Sequence, residues 1–241
     1  MTAVHDSLLA AAARLGLDAE QDLTARKLDQ LLAYLALLQR WNKVYNLTAV
    51  RDPAEMLSHH LLDCLAVVAP LRRQIDSPAG AGRPCRLLDV GSGGGLPGVV
   101  LAIIEPALTV DCVDTVAKKA SFIRQVAAEL GLPNLQGLHA RVETLAPARQ
   151  PYQVITSRAF ASLPDFISLT RSLLAPGGQW MAMKGRTPAE ELAALPGDIE
   201  VFHVEQLQVP DLDAQRCLVW MRPRPGPDLP SAATVSGPAA A

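Results

Sequence analysis

The sequence predicts an α/β protein, in which a helical N-terminal extension precedes a mostly parallel sheet with a terminal antiparallel strand. Three observations carry this prediction. Residues 1–80 show apolar residues at three- and four-residue spacing, which is typical of helices. From Arg86 onward, short apolar strands alternate with helical stretches, an order that places parallel strands in one sheet covered on both faces. The first strand also runs into a loop crowded with glycine, as expected where a chain approaches a ligand closely.

Length and composition fit one domain with a small appendage. With 241 residues, of which 49% are hydrophobic, the chain can bury one good core. Uninterrupted apolar runs such as Val99 to Ile104 are far shorter than the roughly 20 residues that a membrane helix needs. The first residues also lack the basic region of a secretory leader. We therefore expect a cytoplasmic protein without a membrane segment, and no pattern gives a reason to expect more than a monomer.

The cysteines and the net charge exclude several classes of protein. Four cysteines lie far apart with no C-x-x-C spacing, so neither a disulfide framework nor a zinc site is predicted, and we expect no metal. The formal net charge of −2 argues against a protein that holds naked nucleic acid by its overall charge. Any contact with RNA would have to come from local clusters of basic residues.

Two amphipathic helices are predicted in the N-terminal extension. The leucines of LTARKLDQLLAYLALLQRWNKVYNL form one apolar stripe, which indicates a helix with one buried face. A second helix begins after Asp52 and Pro53, because the aspartate can cap the exposed amides and proline suits the first helical position. This helix is expected to continue through AEMLSHHLLDCLAVV and to end at Pro70.

Strands and helices alternate through most of the remaining chain. The predicted strands are RLLDV, LTVDCVD, LQGLHA, YQVITS and QWMAMK, and the helices are GLPGVVLAII, VAKKASFIRQVAAELG and LPDFISLTRSLLAPGG. VFHVEQLQV and AQRCLVWMR then indicate an antiparallel hairpin. We therefore predict a helical cap over residues 1–80, a main domain over 81–222 and a tail over 223–241. The tail is rich in Pro, Ala, Gly and Ser, so it is expected to be disordered.

The glycine loop RLLDVGSGGGLPGVV follows the first strand, at the edge where α/β sheets bind ligands. Its GGGLPG is a G-x-G-x-x-G string, which alone would indicate a dinucleotide. However, Asp89 precedes the first glycine by two positions and would be unfavourable beside a pyrophosphate. The same acid is favourable near S-adenosylmethionine, which carries an ammonium and a sulfonium. The loop therefore favours S-adenosylmethionine, with Asp89, Gly91, Gly93 and Gly95 at the site.

Two later strands carry residues suited to the adenosine half of such a cofactor. Asp114 ends the second strand, where a carboxylate can accept hydrogen bonds from both ribose hydroxyls. After the third strand, Val142 could cover the adenine face, and Glu143 or a neighbouring backbone group could meet its exocyclic amine. Asp114 would serve a dinucleotide equally well, so this pattern does not separate the two cofactors.

These residues together resemble the RsmG family, also called glucose-inhibited division protein B. The resemblance extends from about Leu31 to Met221 and is carried by RWNKVYNLTAVRDPAEML, HHLLDCL, LLDVGSGGGLPG, ARVETL, ITSRAFASL, MKG and LQVPDLDAQRCLVW. It implies a Rossmann-like S-adenosylmethionine-dependent methyltransferase that modifies N7 of a specific guanine in 16S ribosomal RNA. The implied partner is 16S ribosomal RNA in the small ribosomal subunit or an assembly intermediate.

The resemblance also implies roles for individual residues. Gly91 and Leu96 would line the methionine side of the cofactor, Val142 and Glu143 the adenine side, and Arg158 would be a further cofactor contact. Asp114 falls where the ribose acid is expected.

No general base is needed for the implied reaction, because guanine N7 offers a lone pair and carries no proton. Candidates for holding the guanine are Lys184, which could contact O6 or a phosphate, and Asp63 or Asn46, which could accept from its Watson–Crick edge. His60 and Asp63 lie three positions apart on one predicted helical face and could form a buried pair.

Three alternatives stay open from sequence alone. The GGGLPG string permits an NAD-dependent oxidoreductase. The nucleotide-binding half permits a methyltransferase with a different acceptor. A non-catalytic ribosome-assembly factor could keep the same fold, although an intact loop with both Asp89 and Asp114 argues against it.

Overall fold

The structure is a computed structural model that describes residues 2–75, 85–145 and 151–224. The predicted boundary between residues 80 and 81 lies outside the described residues, as does nearly all of the predicted tail. The division into cap, main domain and tail therefore stays a prediction. No helix in these described stretches is both long and apolar enough to cross a membrane.

The N-terminal extension is helical, as predicted. Its helices are α1 (Thr2–Arg14), α2 (Ala25–Tyr45), α3 (Pro53–Met56), a π-helical turn (Leu57–Leu62), α4 (Asp63–Leu65) and α5 (Val68–Ile75). The prediction of one helix that continues to Pro70 is wrong in two respects. The helical run from Pro53 ends with α4 at Leu65, and Pro70 lies inside the separate helix α5. Proline is tolerated there because the first turn of a helix has no intrahelical partner for its missing N–H.

The remaining chain alternates strands and helices in the predicted order. The elements are β1 (Arg86–Val90), α6 (Gly98–Ile104), β2 (Thr109–Asp114), α7 (Ala117–Glu129), β3 (Leu135–His139), β4 (Tyr152–Arg158), α8 (Leu163–Thr170), β5 (Leu174–Lys184), α9 (Ala189–Ala193), β6 (Ile199–Leu207) and β7 (Arg216–Pro223). Two short 3₁₀ turns cover Val142–Thr144 and Arg171–Leu173. The predicted helix through LLAPGG is too long, because Leu174 instead pairs with Tyr152 and the proline and glycines that follow do not favour a helix.

The seven strands form one sheet in the order β3-β2-β1-β4-β5-β7-β6. All neighbouring pairs from β3 to β5 are parallel, and β7 pairs antiparallel with both β5 and β6. The mostly parallel sheet and the final hairpin are therefore confirmed. The reversed strand is inserted beside the edge strand rather than at the edge, so β6 runs in the same direction as the five parallel strands.

The N-terminal helices pack against one face of the sheet and share its core. Leu31 and Leu38 of α2 are fully buried in the same apolar cluster as the helix α6 and Trp220 of β7. A second cluster on the other face contains Phe166 of α8 and Trp180 of β5. The extension and the sheet therefore share one hydrophobic core. Helix α2 lies directly beside the glycine loop, at the carboxyl ends of the parallel strands.

Candidate cofactor and acceptor site

The glycine loop turns sharply after β1 because three of its glycines adopt left-handed backbone conformations. Gly91, Gly93 and Gly95 have φ values of 66°, 57° and 90°. A Cβ on Gly91 would lie 2.5 Å from Cδ2 of Phe160, so glycine is required there for space as well as for conformation. The loop therefore brings its backbone close to the end of β4, where Arg158 and Phe160 lie.

Two adjoining cavities of about 370 and 390 Å³ open at this edge of the sheet. Both are lined by Gly91 and Ala159, so they meet over the glycine loop. The first also contains Asp114, Val116, Lys119, Val142, Glu143, Phe160 and Leu169. The second also contains Leu47, Thr48, Asp63, Gly93, Leu96, Arg158, Met183, Lys184 and Arg216. Nine of the predicted site residues therefore line this pair of cavities.

Asp114 organises the first cavity. Its Oδ2 accepts a hydrogen bond from the amide of Gly93 at 3.0 Å, and its Oδ1 accepts one from the amide of Val116 at 2.9 Å. Lys119 Nζ lies 3.6 Å from the same carboxylate. A buried acid at the end of β2 thus fixes the glycine loop beside it and retains acceptor capacity toward the cavity.

The opposite wall of the first cavity is largely apolar. Val142 is buried, and the ring of Phe160 faces the same space. Glu143 is held by the Nε of Arg141 at 2.7 Å, and this hydrogen bond lowers the pKa of the carboxyl. Such a slot, apolar on its faces with acids at its rim, has the shape and polarity that suit a purine nucleoside.

Asp89 lies beneath the loop and lines neither cavity. Its side chain is fully buried, with Oδ2 accepting from the amide of Gly98 at 2.9 Å and Oδ1 without a partner among the described residues. Burial raises the pKa of this carboxyl to about 7. Asp89 therefore cannot contact a ligand directly in this conformation. Its predicted role at the cofactor site stays a prediction, in which the carboxylate would act through its charge. Gly95 also lines neither cavity and instead packs against Val99 at the start of α6.

A buried carboxylate joins two arginines in the second cavity. Asp63 at the start of α4 accepts from Arg158 Nη1 at 2.9 Å and from Arg216 Nε at 3.0 Å. Asp63 is 1% exposed, whereas both arginines are partly exposed. One carboxylate therefore holds two guanidinium groups from different strands and leaves the cluster with net positive charge.

Lys184 also lines the second cavity, at the end of β5. Its Nζ donates to the carbonyl oxygen of Ala161 at 3.0 Å and to Glu191 Oε2 at 2.8 Å. Asn46 lies elsewhere: it lines a third cavity together with Lys43 and Arg51. Of the three candidates for holding an acceptor, the structure brings together Asp63 and Lys184 but not Asn46.

His60 and Asp63 do not form the side-chain pair that their spacing suggested. His60 Nε2 lies 2.7 Å from Thr48 Oγ1, and Asp63 is occupied by the two arginines. The π-helical turn between α3 and α4 alters the spacing of side chains there, which the regular helical pattern does not foresee. Burial lowers the pKa of His60 to about 4, so its ring is neutral near pH 7.

Three residues at the site were not assigned a role from the sequence. Thr48 lies in the quoted motif WNKVYNLT, Phe160 in SRAFASL and Arg216 in DLDAQRCLVW. Each motif marks its segment, but only the fold shows which side chain in it faces a cavity. Across the described parts of the chain, no three His, Cys, Asp or Glu side chains are grouped so that they could hold a metal ion.

A family model described as rRNA small subunit methyltransferase G matches residues 27–219 of this chain. The chain belongs to this family. The match includes the glycine loop, the Asp63 cluster, strands β1 to β6 and the first half of β7, so every residue that lines the two cavities lies inside the family region. It also confirms the resemblance stated from the motifs, and it gives no support to the oxidoreductase alternative.

Similar proteins agree with the family assignment. A ribosomal RNA small subunit methyltransferase G from Paracidovorax citrulli is 60% identical over 243 aligned positions, and the alignment covers 98% of this chain and 97% of that protein. A relative with the same name from Methylibium petroleiphilum is 66% identical over 200 residues, covering 83% and 87%. The crystal structure of TrmN from Thermus thermophilus is similar in fold, with a TM-score of 0.52 at 21% identity over 69% of this chain and 53% of that one. With the sheet order, this likeness confirms the predicted methyltransferase fold.

Proposed function

We propose that this protein transfers a methyl group from S-adenosylmethionine to N7 of a specific guanine in 16S ribosomal RNA. The family membership and the names of the relatives support methylation of small-subunit ribosomal RNA. The observation that carries the proposal is the pair of cavities that meet at Gly91, one suited to a nucleoside and one lined by cations. The nucleoside half of the donor would lie in the first cavity, and its methionine half would share the second cavity with the acceptor, so that the methyl group lies near the glycine loop.

The described residues fit S-adenosylmethionine. Val142 and Phe160 would cover the adenine, and Asp114 would accept from the ribose hydroxyls. Arg158, which lines the second cavity, would meet the carboxylate of the methionine half. Beneath the loop, Asp89 would favour a cation above it when its carboxyl is ionised, that is, above its pKa of about 7. When bound, this cofactor supplies an electrophilic methyl group on a cationic sulfur.

The acceptor half of the reaction depends on orientation. Guanine N7 needs no base, so the task of this chain is to hold the nucleophile in line, which can be worth roughly 7–11 kcal/mol of barrier. Lys184 and Arg216 are fixed donors beside Gly91 that would contact O6 or a neighbouring phosphate. Because Asp63 and Glu191 already hold these cations, they are ordered before the substrate binds.

We also propose that the protein acts in the cytoplasm, where the small ribosomal subunit and its assembly intermediates are found, and that it acts as a monomer. The proposed division is a helical cap over residues 1–80, a methyltransferase domain over residues 81–222 and a tail over residues 223–241.

The test is methyl transfer to small subunits from cells that lack this gene. We expect labelled methyl at N7 of a single guanine in 16S ribosomal RNA. Arg158→Gln should reduce the rate by roughly 10- to 100-fold, because a charged hydrogen bond to the cofactor is lost. Arg86→Gln is the matched control, since Arg86 is also bound to a buried aspartate, Asp111, but lines neither cavity.

Binding of S-adenosylmethionine and of NADH should be measured on the same preparation. If the protein binds S-adenosylmethionine but labels no ribosomal RNA, the acceptor is wrong and a methyltransferase with a different acceptor is favoured. If it binds NADH and not S-adenosylmethionine, the oxidoreductase alternative is correct. If it binds neither and still associates with the subunit, a non-catalytic assembly factor is favoured.

A further inference from the structure

A third cavity, of about 460 Å³, opens at the C-terminal end of α2. It is lined by Gln39, Asn42, Lys43, Asn46, Arg51 and Met56. Helix α2 ends here because Asn46 adopts a left-handed conformation, with φ of 48°, and the chain then turns toward Leu47 and Thr48. The cavity is therefore formed by the last turn of α2 and the segment that follows it.

The cations of this region differ from those of the second cavity. There, Arg158 and Arg216 share Asp63, and Lys184 is bound to Glu191. By contrast, among the residues that the structure describes, none of Lys43, Arg51 and Lys118 has a carboxylate within ion-pair distance. Arg51 instead donates to Asn46 Oδ1 at 3.3 Å. Lys43 and Arg51 line the third cavity, and Lys118 of α7 lies beside Tyr45, the last residue of α2. Three cations without acid partners therefore lie around the end of α2, on a chain whose formal net charge is −2.

An exposed aromatic ring lies at the same end of α2. Tyr45, the last residue of α2, is 39% exposed. Lys118 Nζ lies 5.8 Å from the centroid of its ring, and Trp41 supports the ring with a centroid separation of 5.1 Å. An aromatic side chain flanked by cations is the combination that binds single-stranded nucleic acid, by contact with bases and with phosphates.

This surface adjoins the second cavity along the chain. Asn46 lines the third cavity, whereas Leu47 and Thr48, the next two residues, line the second. Consecutive Cα atoms are about 3.8 Å apart, so Asn46 and Thr48 lie within roughly 8 Å of each other. A strand with one nucleotide in the second cavity would therefore reach the third with its next one or two nucleotides.

We propose that the α2-end surface, formed by Lys43, Tyr45, Asn46, Arg51 and Lys118, binds the single-stranded ribosomal RNA that flanks the methylated guanine. This inference rests on the proposed function, because it assumes RNA in the second cavity. Lys43, Arg51 and Lys118 bind phosphates, and Tyr45 contacts a base. An acidic segment of a ribosomal protein is the other occupant of suitable charge, but a protein segment does not account for the exposed ring beside the acceptor cavity.

The first test measures how salt affects binding of the full chain to unmethylated small subunits. The triple variant Lys43→Gln, Arg51→Gln, Lys118→Gln should bind at least roughly tenfold more weakly at moderate salt. Each lost phosphate contact lowers the slope of log K against log salt by about 0.7, so the slope should fall by about 2. Arg26→Gln is the matched control, because Arg26 is exposed on the same helix and has no carboxylate partner among the described residues. It lies about 25 Å from Lys43 along α2.

S-adenosylmethionine binding by the triple variant checks that the fold is intact, because none of its three positions lines the first two cavities. If the wild type methylates the subunit and the triple variant has an unchanged slope and KM, the proposed surface is wrong and the proposed function stands. If the wild type methylates no RNA, the proposed function fails, and this inference fails with it.

The second test identifies the occupant directly. A photocrosslinking phenylalanine analogue at position 45 should crosslink to 16S ribosomal RNA within a few nucleotides of the methylated guanine. Crosslinks confined to a ribosomal protein would overturn RNA as the occupant. Tyr45→Leu should raise KM for the subunit and Tyr45→Phe should not, because only the ring is needed for contact with a base.

Discussion

The phenolic hydroxyl of Tyr34 donates a hydrogen bond to the carbonyl oxygen of Gly94 at 2.7 Å, joining residues 60 positions apart. Tyr34 is fully buried on α2, and Gly94 lies in the glycine loop. The helical extension therefore holds the glycine loop by its backbone. A Cβ on Gly94 would lie 2.9 Å from Cδ1 of Leu38, so the same helix also limits the size of the loop residue.

Tyr34→Phe should weaken S-adenosylmethionine binding. The variant loses one buried hydrogen bond, worth about 0.5–1.5 kcal/mol of stability, and leaves the Gly94 carbonyl without this partner. We expect a several-fold rise in Kd, measured by titration calorimetry. Tyr152→Phe is the control, because it removes a buried hydroxyl bond to Asp111 away from the cavities. Equal Kd values for Tyr34→Phe and the wild type would contradict a role of α2 in ordering the loop.

Gly91→Ala should abolish or strongly reduce cofactor binding. The substitution adds strain at a positive φ and also sets a methyl group against Phe160. Gly131→Ala is a matched control, because Gly131 has a similar φ of 61° but no atom within 4 Å of the position that an alanine methyl group would take. Both variants should lose about 1 kcal/mol of unfolding free energy from strain. Only Gly91→Ala should lose cofactor affinity, and similar affinities in the two variants would show that the contact with Phe160 is unimportant.

Asp63→Asn should reduce methyl transfer by more than its loss of stability would predict. The asparagine keeps one acceptor but removes the charge shared by Arg158 and Arg216, and disrupting a buried ion pair costs about 3–5 kcal/mol. We expect a lower kcat/KM for the small subunit together with a lower thermal midpoint.

The control for this substitution is Asp111→Asn, which disrupts another buried carboxylate, paired with Arg86. It should lower the thermal midpoint while the activity of the folded enzyme is kept. Asp63→Glu should restore part of the activity, since it returns the charge. If both asparagine variants lose activity in proportion to stability, Asp63 has only a structural role.

Asp89 should make stability depend on pH. Its pKa is about 7 in the folded chain against an ordinary value of 3.8, chiefly because it is buried, with Arg158 opposing and Asp114 adding to the rise. Between pH 4 and 7 the folded state therefore holds a proton that the unfolded state releases. The free energy of unfolding should fall as pH rises through this window and level off above it. The difference corresponds to on the order of 4 kcal/mol.

Asp89→Asn should flatten that profile, as measured by urea unfolding at a series of pH values. The asparagine can still accept from the amide of Gly98, so the contact at the start of α6 is retained. A variant profile as steep as that of the wild type would place the titration on another group.

The sheet and most of the first cavity could be predicted because they depend on short-range patterns. Asp114 follows from its position at the end of an apolar strand, and the glycines follow from the need for positive φ at a sharp turn. The same reasoning could not foresee that Asp89, two residues before Gly91, would be directed toward the start of α6 and away from both cavities.

The second cavity was less predictable because its contacts join distant segments. Asp63 and Arg216 are 153 positions apart, and they meet only because β7 is inserted between β5 and β6. The motif WNKVYNLT predicts that Asn46 lies in the second cavity with Asp63 and Lys184. The left-handed end of α2 directs it to the third cavity instead, and no local pattern distinguishes the two faces of that turn.

The reversed direction of β7 places the connection between β6 and β7 at the same edge of the sheet as the second cavity. Since β7 runs opposite to its neighbours, it starts at the edge where they end, and the connection over residues 208–215 spans that edge beside Arg216. Insertions or exchanges in this connection would reshape the second cavity around Arg216 while the opposite half of the sheet, with Asp114 and the glycine loop, stays unchanged. Under the proposed function, new RNA targets could thus be acquired without rebuilding the half of the site proposed for the methyl donor.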